Sequence, residues 1–478
     1  MVESRYYRHT KIIATIGPST QSDERLRELI RDGVDVMRLN MAHGDRPWVT
    51  DLIRRVRTIS SELGRDVAIM MDVKGPEIRT GAVEQPIPLS VGDRVRLCTG
   101  RAAAGDLDSN GVREVSVNYP DLPSEVDAGK TVLVDSGLLR WKVIECEPDS
   151  VLCEVLTSGV LDSRRHINLP GVQVNLPALT DKDESDLRFG VEAGIDFVAL
   201  SFVREAADVV TLRDFLQSLG SKARIIAKIE EQAGVRNMDT IVREADAIMV
   251  ARGDLGIEID YQKLPLVQTQ LVRACHAEGK PVIIATQLLE SMIHSPMPTR
   301  AEISDVSNAV RERADAVMLS GETTTGKYPL ESVGVLTNII ESIEPTVRSE
   351  LNTRITLHEP KSKMLRSAVV LARELGDSGI IVFTRSGFLA YILGALRARG
   401  VPIYAFTDVE TTFRQLVLPW GVEPFLMKFS DDPEETIRNA LECLKEKGWC
   451  RKGTWLVAIT NALADKKVID SMQLSQVD

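Results

Sequence analysis

Eight short runs of continuous apolar residues recur along the first two thirds of the chain: KIIATIG (11–17), VDVMRLN (34–40), VAIMMDV (67–73), FVALSF (197–202), RIIAKIE (224–230), AIMVARGD (247–254), PVIIAT (281–286) and AVMLSG (316–321). They do not alternate apolar with polar, which is the pattern of parallel strands buried on both faces. Amphipathic stretches of helical period lie between them, at 23–32, 48–63, 183–193, 205–219, 262–278 and 302–313. Strand followed by helix, eight times over, predicts an α/β fold of (β/α)8 TIM-barrel type, in which sites gather at the C-terminal ends of the strands.

Five of the runs end in two polar residues spaced i, i+2: Arg38/Asn40, Asp72/Lys74, Lys228/Glu230, Arg252/Asp254 and Ser320/Glu322. Residues two apart in a strand share a face, so each pair can project from a strand end toward one point. A single pair is equally well explained by a solvated loop or a helix cap. Five at the same end of successive strands predict one polar site at the barrel mouth. Arg252/Asp254 fits the pattern least, because Gly253 ends the strand and parity need not survive the turn.

The barrel pattern, covering 1–80 and resuming over 177–350, is interrupted at 81–176 by alternating segments such as DRVRLCTG, REVSVNY, KTVLVDSGLL, RWKVIECE and SVLCEVLTSG, separated by turn residues. That texture predicts an inserted all-β domain, placed by its insertion point to act as a lid over the mouth. A polar stretch at 349–363 reads as a linker. Beyond it, residues 351–478 predict an open α/β domain with a helix (364–375), a strand (379–384), a helix (388–399) and strands at 402–407 and 454–460. Its loop Thr384, Arg385, Ser386, Gly387 leads from a strand into a helix start, where free N–H groups favour anions, so a phosphorylated effector is one reading and a plain tight loop the other.

Net charge is 58 − 69 = −11. This argues against nucleic acid or an anionic membrane as partner, and an anionic substrate must be held by local cations. The six cysteines form no CxxC pair and read as reduced thiols. No run reaches a membrane span and the start MVESRYYRHTK is no signal peptide, which points to the cytoplasm.

Glu230 and Asp254 are hard oxygen donors of the kind Mg2+ takes, although two carboxylates alone would also serve as an acid/base pair. Arg38 and Lys228 in the same ring favour phosphoryl transfer. No GxxxxGK[ST] loop is present, so a nucleotide is held in another way. In ARGDLGIEI (251–259) the backbone at a helix start can take a carboxylate, and Thr286 supplies a hydroxyl at the same level or caps a helix.

The strings KIIATIGPST, RLNMAHG, MDVKGPEIRTG, NLPG, IAKIEEQAGV, MVARGDLGIEI, ATQLLESMI, PTRAEISDVSNAV and MLSGETTTGKYPLE closely resemble the pyruvate kinase family over essentially the whole chain, with the third domain matching more weakly. The resemblance implies a phosphotransferase that moves the phosphoryl group of phosphoenolpyruvate to ADP, giving ATP and pyruvate in the last step of glycolysis. It implies a homotetramer. It further implies that Glu230 and Asp254 bind Mg2+ or Mn2+, that Lys228 stabilises the phosphoryl group in flight, and that Arg38 holds the phosphate. The Gly253 and Asp254 backbone with Thr286 takes the carboxylate, while Thr286, Ser320 and Glu322 form a proton path to the enolate carbon. Asn40, His43, Arg79 and Arg165 face the nucleotide.

Two departures from the family pattern stand out. The K+ site retains Asn40, Asp72 and Val73, but Ala42 replaces a serine ligand, so K+ is expected to bind more weakly; Glu77 matches the K+-dependent form, in which the cation balances that acid. At the effector loop, Leu389 stands where a hydroxyl is common, and the closing segment 459–473 lacks a glycine-rich loop. Fructose bisphosphate is thus disfavoured against a monophosphate or no activator. A metal-dependent lyase on the same barrel would not need the lid or the full ring of cations. A non-catalytic homologue would be expected to lose Lys228, Glu230, Asp254 or Thr286, and all four are present.

Overall fold

In the computed structural model, eight parallel strands close into a barrel: Lys11–Thr15, Val36–Asn40, Ala68–Asp72, Phe197–Leu200, Arg224–Ile229, Ala247–Ala251, Val282–Ala285 and Ala316–Leu319. The structure describes residues 8–42, 44–347, 355, 357, 359–464 and 467–478, with backbone alone at 461–464 and 467–469. Each strand pairs with its sequence neighbours and the first closes on the last. The strands are buried on both faces, as their uninterrupted apolar character requires: Ile12, Ala14, Ile69 and Met71 face the helices, while Ile13, Ala68, Met70 and Ile226 fill the interior.

The predicted helices form close to their expected bounds, and local chemistry explains where they begin and stop. Thr180 opens the helix Asp181–Ala193 through a capping box with Asp183, and Gly194 ends it at φ 83°, a left-handed conformation that glycine adopts without strain. Thr299 and Glu302 cap Arg300–Arg311 in the same way. No helix among the described residues is long and apolar enough to cross a membrane.

Strands Arg94–Cys98, Arg113–Ser116, Thr131–Val134, Leu139–Glu147 and Ser150–Val155 realise the predicted inserted domain, joined by Ala104–Leu107 and Ile167–Asn168 in a seven-stranded sheet around Trp141. Its stem packs on the barrel mouth: Arg204 donates to the carbonyls of Val174 (3.2 Å) and Leu176 (2.6 Å), and the His166 ring lies 5.7 Å from that of Phe202.

The C-terminal sheet runs Val422–Leu426, Ile403–Thr407, Ser378–Phe383, Trp455–Ala464, Lys467–Gln476, with only the last strand antiparallel. Val422–Leu426 was not expected, because VEPFL is short and carries a proline. The helix predicted over 388–399 stops at Ala395, and Arg397 follows at φ 51°. Much of the expected linker lies outside the described residues, and its last residues already belong to the helix Pro360–Leu375. All six cysteines are thiols, with Cys98, Cys153 and Cys275 buried.

The C-terminal domain plugs the base of the barrel. Val417 and Leu418 join the interior cluster with Ile13, Met70, Phe197 and Met318. Beside them Arg397 forks onto Asp315 at 2.9 and 2.6 Å, both side chains almost fully buried, and lies 3.1 Å from His276 Nε2. Burial, and then the Arg397 charge, holds the His276 imidazole down to about 4. The unfolded chain, with an ordinary histidine near 6.5, therefore binds a proton that the folded chain refuses between those values. We predict that lowering pH from about 6.5 to about 4 removes up to about 3 kcal/mol of stability through this group. Urea midpoints measured across the interval should fall less in His276→Gln than in wild type; parallel profiles would refute the assignment.

Candidate active site at the barrel mouth

Asp72, the last residue of its strand, is buried between two cations. Its Oδ2 lies 2.6 Å from Arg38 Nε and its Oδ1 3.2 Å from Lys228 Nζ. Burial pushes the carboxyl up, but Arg38 and Lys228 pull it below the usual range. Arg38 Nη1 also donates to Thr15 Oγ1 at 3.1 Å. Lys228 Nζ lies 2.9 Å from Glu230 Oε1 and donates to Ser201 Oγ at 2.7 Å. Burial disfavours this ammonium, yet Asp72 and Glu230 carry it above the ordinary lysine value. All three ammonium hydrogens have acceptors.

Glu230 and Asp254 are the paired carboxylates. Glu230 is buried and accepts the Phe202 N–H at 2.7 Å, whereas the Asp254 side chain makes no hydrogen bond or ion pair among the described residues. Burial raises both carboxyls; Lys228 opposes this, and the Asp254 charge adds to it at Glu230. Two desolvated, neighbouring carboxylates sharing one lysine leave room for a further cation. Among the described residues no three His, Cys, Asp or Glu side chains form a closed cage. An open, two-carboxylate set fits Mg2+, which takes its remaining ligands from substrate and water.

The strand-parity expectation holds only in part. Arg38 and Asn40 share the strand Val36–Asn40, and Lys228 sits within Arg224–Ile229 with Glu230 just beyond. Arg252/Asp254 and Ser320/Glu322 instead lie past their strands, in the short helices Arg252–Glu258 and Gly321–Thr324 or at their caps. These strands end sooner than the apolar runs, and a helical turn destroys the two-residue period. Arg252 accordingly turns away to Asp305 (2.7 Å) and the carbonyls of Thr286 (2.7 Å) and Gln287 (3.1 Å).

Thr286 follows Val282–Ala285 at φ 64°, a conformation that costs a β-branched residue energy and is held here by its contacts. Its Oγ1 accepts the Gly253 N–H at 2.8 Å, so the threonine caps the helix from the preceding strand rather than the one after itself. Glu322 accepts N–H bonds from Leu289 (3.1 Å) and Ser320 (2.8 Å). Ser320 Oγ is buried with no partner among the described residues.

Asn40 pairs in register with Asp72, and its Oδ1 accepts the Ala42 N–H at 3.1 Å; the Val73 carbonyl accepts the Ser201 hydroxyl at 2.7 Å. Glu77 meets Lys74 at 2.9 Å and Arg79 at 2.6 Å. Arg79 also donates to the Arg164 carbonyl at 2.8 Å, while Arg165 pairs with Asp135 and Asp162 on the lid. His43 lies outside the described residues. At the seam between lid and barrel, burial raises Glu231 to about 8 and Glu258 to about 7. Ser201 stands out less in the sequence than these residues do. Its signal was available as a serine closing the apolar run FVALS, but it lacks an i, i+2 partner.

In the C-terminal domain, Thr384 and Arg385 line a cavity of about 360 Å3 with Lys361, Ser430, Thr436 and Thr460. Thr384 Oγ1 accepts the Gly387 N–H at 2.9 Å, and Arg385 pairs with Asp408 at 2.9 Å. The Ser386 carbonyl accepts from Arg224 at 2.7 Å, at the foot of the strand that carries Lys228.

Residues 7–333 match the family model described as pyruvate kinase, barrel domain, and residues 362–473 match pyruvate kinase, alpha/beta domain. Plastidial pyruvate kinase 2 of Arabidopsis thaliana is 42% identical over 453 residues, covering 93% of this chain and 76% of the relative. The pyruvate kinase of Clostridium acetobutylicum is 38% identical over 458 residues, covering 94% of this chain and 95% of the relative. A crystal structure of a pyruvate kinase from Cryptosporidium parvum superposes with a TM-score of 0.92 at 36% identity, over 99% of this chain and 97% of that one. A closed barrel with a β-lid, cations and carboxylates converging at its mouth, and likeness running through both domains place the chain in the pyruvate kinase family.

Proposed function

We propose that the reaction of this family, transfer of the phosphoryl group of phosphoenolpyruvate to ADP, runs at the Asp72–Lys228–Glu230 cluster. The observation that carries this reading is the single ammonium of Lys228 touching both Asp72, which holds Arg38, and Glu230, which neighbours Asp254. Arg38 holds the phosphate and Lys228 clamps the phosphoryl group as its charge redistributes, since this chemistry demands positioning and charge neutralisation above all. Glu230 and Asp254 hold Mg2+ or Mn2+, which when bound neutralises phosphoryl charge and orients the substrate.

The Gly253–Asp254 backbone and Thr286 receive the substrate carboxylate, which would replace Thr286 Oγ1 on the Gly253 N–H. Thr286 and the unpartnered Ser320 hydroxyl lead a proton to the enolate carbon through water; Glu322, committed to two backbone N–H groups, supports Ser320. Asn40, His43, Arg79 and Arg165 serve the nucleotide. Asn40, Asp72 and the Val73 carbonyl offer oxygens to K+, with water in place of the hydroxyl that Ala42 lacks.

The C-terminal cavity suits a phosphomonoester, met by Thr384 and Arg385 with Lys361 nearby, and Ser386, next in the same loop, completes the proposed effector set. A homotetramer is supported by exposed Tyr261, Leu266 and Met297 and by the edge strand Lys467–Gln476. The domain limits 1–80, 81–176, 177–350 and 351–478, and a cytoplasmic location, complete the reading.

A coupled assay should show ATP forming from phosphoenolpyruvate and ADP; consumption of phosphoenolpyruvate without ATP would indicate a lyase instead. The same assay should show higher activity in KCl than in a bulky organic cation at equal ionic strength, and activation by a monophosphate rather than by fructose bisphosphate. Identical rates in both salts, or no response to any phosphate ester, would remove the respective site. Light scattering of that preparation should give four chains per particle, and a monomer would refute the tetramer. Lys228→Arg should keep the phosphoenolpyruvate KM within a few-fold while kcat falls by about 10²–10³, because a planar guanidinium cannot replace a compact ammonium among three acceptors. Comparable turnover would exclude the clamp role.

A further inference from the structure

We propose that Ser201 is a positioning residue for phosphoryl transfer, whose hydroxyl gives the Lys228 ammonium a third, neutral anchor and so holds it in place between the carboxylates of Glu230 and Asp72. The inference rests on the reading of Lys228 as clamp and Glu230 as metal ligand.

Ser201 directly follows the strand Phe197–Leu200 and is buried. A hydroxyl has one proton and two lone pairs. The Ser201 proton goes to the Val73 carbonyl at 2.7 Å, since Asp72 Oδ1 is farther away at 3.3 Å. The oxygen thus presents a lone pair to Lys228 Nζ at 2.7 Å, the shortest contact that ammonium makes. The next residue, Phe202, at φ 55°, gives its N–H to Glu230 Oε2 at 2.7 Å. Two consecutive residues therefore grip the two functional side chains separately, one on the ammonium and one on the far oxygen of the carboxylate.

The grip is itself fixed from behind. A side chain at Gly75 would bring its Cβ within 3.1 Å of both Ser201 Cβ and the Phe202 ring, so the neighbouring loop packs directly on this turn. Without the serine hydroxyl the acceptors of Lys228 that remain among the described residues are carboxylates, Glu230 at 2.9 Å and Asp72 at 3.2 Å. Nζ, already in contact with Glu230 Oε1, would then be held by the two carboxylates alone, committed more fully to the oxygen a divalent cation needs and free to shift off the line toward the phosphoryl group.

Ser201→Ala should weaken Mn2+ binding, followed by electron paramagnetic resonance without substrates, by about 5- to 20-fold, and lower kcat by about 10- to 100-fold with the phosphoenolpyruvate KM within about threefold. Ser201→Thr, which keeps the hydroxyl, should bring both quantities back to within about threefold of wild type. Wild-type Mn2+ affinity and kcat in the alanine variant, or a threonine variant no better than alanine, would overturn the proposal. Glu230→Gln is the reference. If it loses Mn2+ and Ser201→Ala does not, only the role of Ser201 falls; if it binds Mn2+ unchanged, the metal assignment falls and this proposal with it.

Discussion

Asp72 is the interaction on which the mouth of the barrel depends. A buried carboxylate is costly unless its charge is met, and here it is met on one oxygen by Arg38 and on the other by Lys228. The same arrangement holds two cations, which would otherwise repel, close enough to face one small anion. Because Asp72 closes the strand Ala68–Asp72, its position is set by a ladder that neighbouring strands tie on both sides. Charge pairing and barrel closure therefore support one another.

The opposite end of the barrel is closed by another domain. Val417 and Leu418 finish the interior packing, and the Arg397–Asp315 pair, desolvated on both sides, tolerates little displacement. Arg224 stands at this junction, bonded to Ser386 and Gln415 and stacked 4.2 Å from the Tyr391 ring centroid, at the start of the strand whose other end carries Lys228. The C-terminal loop and the reacting groups are thus joined by one strand.

How much of this was legible in the chain varied by residue. Lys228, Glu230, Arg38 and Asp72 are legible because polar pairs close several apolar runs at the same end, a recurrence that a loop or cap explains for one pair but not for all. Ser201 gave no comparable signal, since a lone serine after a strand is ordinary. Glu77 matches the K+-dependent pattern in the sequence, which does not show that Lys74 and Arg79 also meet it, a pairing set by how the chain enters the lid. Arg252 and Glu322 looked like members of the ring, and the backbone turned them to other tasks by entering helices early.

Hydrophobic period by itself determined the barrel, the alternating lid and the α/β domain beyond it, because burial on two faces, on one face, or along a helical stripe each leaves its own spacing. The motifs carried the family. Only the tertiary structure decided which oxygen meets which cation, that Thr286 caps a helix from another strand, and that the third domain plugs the barrel base. Those facts depend on contacts between segments far apart in the chain, and a one-dimensional pattern records which faces are buried but not what they meet.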